Sequence, residues 1–514
     1  MFVRRLSKGN DARDVFPLAR TNEYPRVDVT QPDPPSSHAR DGNDADARAL
    51  SSLGYAQELL RSMGGFSSFA LSFSIISIVT GVITTYDVAL SGGGPAALGI
   101  GWPLVSVGTM FLALAMSELA SAFPTAGAMY HWSAVLAGPG WGWFVAMMNL
   151  VGQVAAVAAI NLGCAQQVVA ALGLSDRAVA PLFVAIAATQ ALTNLVSVWL
   201  VSRLNDVSVF VHIGGVLVLV GALSLFGRGH PFGYVFQTGF TTRPDGSYTL
   251  GFLSSLLLGM WTFTGFDASA HVSEETHDPA RRAPWGIVLS VLVSAVAGYA
   301  FVLAITLAIP DLAATAADPH PALFVMQRAL GPRWGRAALG LAVLAMWFCG
   351  LSSVTSLSRT LYAFARDGGL PGSAWLRRVS ERQKTPHVAI LVSVGCVLLL
   401  GLASARLSDD QFLAVASLAT TALYVSYVIP VALGAIARHQ GRWTRTGVWH
   451  LGRYGQVVAC VAVLWTVFVL AVTALPHHGA YLGLLVVIAV VLGVVYRLFV
   501  AGRFVGPERG HSLD

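Results

Sequence analysis

The chain has 514 residues, of which 55% are hydrophobic and only 11% charged. Soluble domains carry about a quarter charged residues, so this chain lacks the ionic groups to cover a water-facing surface of its size, which excludes an ordinary soluble enzyme and a disordered scaffold. The net charge of +6 comes from 32 Lys and Arg against 26 Asp and Glu, and its distribution follows membrane topology rather than a nucleic-acid-binding patch.

Two lysines occur, Lys8 and Lys384, neither in a Gly-rich phosphate loop. A nucleotide-driven pump built on a P-loop is therefore excluded, because that motif needs its lysine. The four cysteines (Cys164, Cys349, Cys396 and Cys460) lie far apart in apolar stretches. Without a CxxC pair or a metal-ligand spacing they read as small buried hydrophobes, and no metal or other cofactor is expected.

Residues 1–50 are polar and rich in Asp, Arg and Pro, which predicts a disordered cytoplasmic tail with no cleavable signal. A spanning helix needs about 20 mostly apolar residues. Twelve stretches satisfy this: 65–90, 102–122, 141–172, 181–202, 207–226, 250–271, 285–309, 337–361, 387–403, 412–437, 456–475 and 480–500. They define a permease domain over 51–505, in which 65–226 and 250–437 form two five-helix halves and 456–500 adds two helices; residues 506–514 form a second cytoplasmic tail. An even number of spans puts both termini on one side. With that side as the cytoplasm, most of the 32 basic residues fall inside, as the positive-inside rule requires. The chain is thus expected to be all-α, multi-pass and resident in the cytoplasmic membrane.

Interruptions in two spans carry the functional signal. The first reads FALSFSIISIVTGVITTYDVAL, with Thr80-Gly81 at its middle and Ser77 among the polar residues around it. The sixth reads LLLGMWTFTGFDASAHVSEE, with Thr264-Gly265 at its middle and Asp267 two residues on. Glycine weakens a helix interior by about 1 kcal/mol, and unwound backbone at membrane depth survives only where it is buried in protein or lines a wet cavity. Matched interruptions in the first helix of each half point to an inverted-repeat transporter with its substrate site at the midplane.

Met260–Pro284, MWTFTGFDASAHVSEETHDPARRAP, resembles the sixth-helix signature of the amino acid–polyamine–organocation permeases. Met116–Trp132, MSELASAFPTAGAMYHW, resembles that family's second-helix and first-loop motif, and Ser358–Gly372, SRTLYAFARDGGLPG, its eighth-helix exit. The wording around GFDASAHVSEE is most similar to the amino acid/choline branch, whose members carry GABA, choline and related amines. The resemblance covers roughly residues 50–500. It implies a LeuT-type five-plus-five inverted repeat with helices one and six interrupted, two extra helices, and secondary active transport of an amino acid or small amine.

A carboxylate inside a span costs about 2.5–3.5 kcal/mol on insertion scales, which marks Asp267. Three roles are open to it: holding a cationic amine, carrying a proton, or capping a half-helix. The resemblance assigns the acidic residue at this place to the site and its gating. His271 and Glu274 follow four and seven residues later on the same helical face, a stripe able to pass a proton, unless Glu274 and Glu275 already form a solvated or ion-paired end. His212 is the one ionisable side chain of the fifth span and titrates near neutral pH. Some proton-coupled relatives have a lysine in that helix; this chain does not. Trp261 and Phe266 flank the sixth-helix break and offer ring faces to an ammonium group, or pack. In the implied fold the ends carrying Arg61 and Asp367 approach each other, so a salt bridge between them is expected to latch the cytoplasmic gate, with Glu274 beside it. Glu118 and the run after it read as loop architecture.

The expected function is proton-coupled uptake of an amino acid or amine. The amides after Thr80-Gly81 would hold a carboxylate, and the carbonyls around Thr264-Gly265 an amino group. Sodium is the alternative ion, through Ser352, Ser353, Thr355 and Ser356. Amino acid exchange on the same fold and a transport-dead sensor are the alternative functions. An enzyme is not expected, since HExxH, GxSxG and clustered ligands are missing.

Overall fold

The computed structural model describes residues 37–227, 229–405, 410–444, 446–473 and 479–507, and every membrane crossing among them belongs to one compact unit, Gly42–Asp514. Eleven helices of the described residues are long and apolar enough to cross a membrane. The sixth crossing completes twelve, in pieces: Tyr248–Ser255, Leu257–Thr262, a turn over 263–267, then Ala268–His271. The described residues contain no strand, only an isolated bridge between Met63 and Thr276.

The crossings cover their expected stretches with several bounds shifted; the first runs on to Gly99 instead of 90 and the seventh begins at Pro279 instead of 285. The fourth ends at Val196 instead of 202, and the fifth begins at Val198 instead of 207. Ser197 between them is fully extended and its hydroxyl accepts the Leu200 N–H, a cap that starts the next helix. Most of the expected N-terminal tail lies outside the described residues, as do the last residues of the C-terminal tail. However, Ser37–Ser52 is helical rather than disordered. Its end is held to the bundle, with Leu50 buried and Asp46 accepting the Asp278 N–H at 2.8 Å.

The first crossing comprises Gly65–Ile76 and Ile78–Gly99. The break falls at Ser77, three residues before the expected Thr80-Gly81. Ser77 takes a left-handed conformation (φ 35°, ψ 77°), which costs an L-residue about 1–2 kcal/mol. Its N–H closes the first half on Phe73 and its carbonyl opens the second by accepting from Gly81. Gly81 is helical and serves close packing: a Cβ there would lie 2.1 Å from Thr262 Oγ1. In the sixth crossing the break is where the sequence predicts it, around Gly265, whose φ is +87°.

Candidate functional site

The two breaks lie side by side, and polar side chains satisfy the backbone they release. Ser72 of the first crossing donates to Phe266 O and accepts from Ser269 N, each at 2.8 Å, while Ser269 donates to Ser68 O. At Ser77, His212 supplies the stabilising contact. Its Nδ1–H donates to Ser208 O at 2.8 Å, its Nε2 meets Ser77 Oγ at 2.7 Å, and Ser77 is bonded in turn to Thr80 Oγ1. His212 therefore clamps the strained residue.

Between the breaks is a cavity of about 30 Å³, room for about two waters. Six predicted residues line it: Thr80, Gly81, Trp261, Thr264, Gly265 and Asp267. Two predicted residues do not. Ser77 is turned to His212, and Phe266 packs on Tyr427 with ring centroids 5.1 Å apart. The amides of Ile78, Val79 and Thr80 open the second half-helix, where no intrahelical acceptor exists. They, and not the amides after Gly81, form the free N-terminal end of this half-helix. Ser353 and Ser356, weighed for sodium, also line the cavity, while sequence reading missed Gln153, Cys349, Leu423 and Tyr427, brought in by the third, eighth and tenth crossings.

Asp267 stands at the head of Ala268–His271, yet its side chain caps nothing. Oδ1 accepts the Tyr427 hydroxyl at 2.6 Å, and Oδ2 lies 3.1 Å from His271 Nε2. His271 Nδ1 faces the carbonyl of Ala126 at 3.2 Å. Thr360 Oγ1 lies nearer, at 3.0 Å, so Nδ1 either donates to the carbonyl or accepts from the threonine, and in the second case a neutral imidazole donates through Nε2 to Oδ2. Ser352 and Thr355 donate to Asn205 and Asn194 rather than facing the cavity, so the four hydroxyls weighed for sodium do not converge.

The expected Arg61–Asp367 latch does not form. Arg61 pairs with Asp46 at 3.7 Å and donates to the carbonyl of Thr276, because the segment before the first crossing docks against the exit of the sixth. Asp367 accepts instead from Tyr55 and Tyr130, at 2.8 and 2.9 Å. The closure on this face is Glu274–Arg366, a two-pronged pair at 2.8 and 2.9 Å, with the guanidinium 3.9 Å from the Tyr55 ring centroid. Glu274 also accepts the Ala126 N–H, so the stripe expected from Asp267 through His271 forms its first link, and Glu274 turns elsewhere. Neither Glu274 nor Glu275 is solvated; Glu275 is paired with Arg359 at 2.8 Å, both side chains fully buried. Burial pushes the Glu274 carboxyl up, but Arg366 and the Ala126 amide outweigh it and leave the group below its ordinary value. Burial raises Asp367 despite Arg366 and its two phenolic donors.

Toward the opposite face, a larger cavity of about 630 Å³ is lined by Thr84, Asp87, Gln167, His320 and Phe412. Trp261 of the central cavity meets Phe412 edge to face at 5.9 Å, so these two rings stand between the cavities. The central site is thus sealed by charge on one side and by an aromatic pair on the other.

Twelve crossings with two adjacent broken helices around a buried cavity define a membrane transporter of the five-plus-five class. A solved structure, the manganese transporter of Eremococcus coleocola, shares this fold with a TM-score of 0.52 at 14% identity, over 87% of this chain and 96% of that one. The chain belongs to the amino acid permease family, whose match spans residues 63–496. It is 36% identical to the amino-acid permease BAT1 of Arabidopsis thaliana, over 83% of this chain and 88% of the relative. It is 26% identical to the GABA-specific permease of Saccharomyces cerevisiae, over 91% and 87%. The family is one of transporters with small amino acid substrates, in agreement with the resemblance carried by the three motifs.

Proposed function

We propose that the protein takes up an amino acid or small amine across the cytoplasmic membrane, driven by a proton, by alternating access with both termini in the cytoplasm. The observation that carries the ion assignment is the Asp267–His271 pair, a carboxyl group and an imidazole 3.1 Å apart at the edge of the broken sixth helix. His212 has both ring nitrogens engaged, by Ser208 and Ser77, and in this reading the transported proton sits between Asp267 Oδ2 and His271 Nε2. The amides of Ile78–Thr80 receive the cargo carboxylate at the positive end of their half-helix. A cavity for about two waters is too small for an amino acid, so cargo is admitted when Trp261 and Phe412 part and released when Glu274 and Arg366 separate. Similarity to a GABA-specific permease supports a cargo of this class.

Reconstitution in sodium-free liposomes tests the reading, with labelled GABA, arginine and other amino acids as cargo. Accumulation is expected with an inward proton gradient and should collapse with a protonophore. Asp267→Asn and His271→Gln should abolish accumulation. Uptake that needs internal amino acid, or that appears only with sodium, would replace the proton with exchange or sodium coupling.

A further inference from the structure

We infer that Gln153 reads the cargo's ammonium group, accepting one of its N–H bonds on the side-chain carbonyl, and that the site consequently selects amines bearing N–H over quaternary ammonium compounds. The inference rests on the amino acid permease reading and states what the cargo must present.

Gln153 lies near the middle of Pro139–Leu172 and is 7% exposed. The same helical face meets the cavity through Ala156 and Ile160, so Gln153 is the polar group that the third crossing offers. Its Nε2 donates to Asn149 Oδ1 at 2.5 Å and to Thr360 Oγ1 at 3.0 Å. With both hydrogens placed, the carbonyl oxygen is left, and it has no partner. Among the described residues lining the cavity, it is the one buried side-chain atom in that condition. Buried polar atoms are nearly always paired, and an amide carbonyl can be paired only by a donor. Asp267 already has a partner on each oxygen, Tyr427 on one and His271 on the other, whereas the Gln153 carbonyl has none. The division of labour follows: Asp267 keeps the proton, and Gln153 takes the cargo's N–H.

The test uses the purified full-length protein and its thermal stabilisation by GABA and the protein amino acids, each against its N-methyl, N,N-dimethyl and N-trimethyl forms. In the unmodified protein, affinity should hold through the dimethyl form and drop about tenfold at the trimethyl form, where the last N–H disappears. That is the order of effect for one hydrogen bond to a charged group. A gradual decline with each methyl would indicate bulk alone and overturn the inference. Gln153→Met keeps the volume and removes the acceptor, and should bring free and trimethylated ligands within about threefold of each other. Thr360→Val, which loosens Gln153 but spares its carbonyl, should leave the ratio intact. An unchanged ratio in Gln153→Met overturns the inference while leaving the transport reading standing. If no amine stabilises the unmodified protein, the amino acid cargo itself is wrong and the inference falls with it.

Discussion

Tyr427 donates its phenolic hydrogen to Asp267 Oδ1 at 2.6 Å and accepts the Gly265 N–H at 3.2 Å, so one hydroxyl joins the tenth crossing to both the carboxylate and the unwound turn of the sixth. The turn therefore keeps its shape only while the tenth crossing is in place. That makes Tyr427 a positioning residue for Asp267.

Tyr427→Phe removes the hydroxyl and leaves a buried carboxylate oxygen and a buried amide unpaired. Loss of a hydrogen bond to a charged group costs about 1.5–3 kcal/mol, so proton-driven uptake should fall at least about tenfold. The helical content and detergent stability of the variant should stay near those of the parent, because the ring still packs on Phe266. Uptake assays alongside circular dichroism separate the two effects. Unimpaired uptake would remove Tyr427 from the site.

Gly81→Ala should destabilise the bundle without creating or removing a break. Its Cβ would lie 2.1 Å from Thr262 Oγ1 and 2.6 Å from Thr262 Cβ, pushing the first and sixth crossings apart. Overpacking of this kind costs about 1–3 kcal/mol. Because the clash includes Thr262 Cβ, Thr262→Ala should not rescue the variant, whereas Thr262→Gly should. Thermal unfolding of the two double variants decides it.

Breaking Glu274–Arg366 should open the face on which the N-terminal segment docks. Removing one partner of a buried pair costs about 3–5 kcal/mol, enough to shift a closed gate largely open. With the four native cysteines replaced by alanine, a cysteine introduced at Ser356, on the cavity wall, should become labelled by a membrane-impermeant thiol reagent from that face in Arg366→Ala but not with Arg366 in place. Since the Glu274 carboxyl is held below its ordinary value, its contribution is complete above that value and is lost only as pH falls through the lower, folded one. Between about pH 5 and pH 8 this pair should be insensitive to acid.

His131 should bring acid sensitivity to the same face. It is buried between Tyr55 and Phe123, and burial lowers it from 6.5 to about 4. Between those values the unfolded chain binds the proton and the folded one does not, so stability is complete above 6.5 and declines toward 4. By pH 5 the loss reaches about 2 kcal/mol. His131→Phe should reduce the fall in melting temperature between pH 7.5 and pH 5, relative to the parent, and equal falls in the two proteins would refute this.

Hydropathy and the placement of basic residues determined the number of crossings, because each apolar run must by itself offset the cost of leaving water. Motif wording around Asp267 marked the sixth-helix break, where Gly265 takes a backbone angle that few other residues tolerate. The first-helix break was placed wrongly by the same logic. Gly81 looks like a breaker, but its missing Cβ serves the approach of Thr262, and the strained residue is Ser77, held by His212 from 135 positions away. Pairings across the bundle were likewise beyond the sequence. Arg61 and Arg366 are equally basic on paper, and only the docking of the N-terminal segment sends one to Asp46 and the other to Glu274. Gln153 and Tyr427 carry no local signal, being ordinary residues in apolar helices. The sequence by itself determined which segments enter the membrane and which of them break, since those depend on local transfer energies and backbone freedom. The tertiary structure decided which side chains meet at the breaks, since hydrogen bonds and ion pairs form only between groups that packing of distant helices brings within about 3 Å.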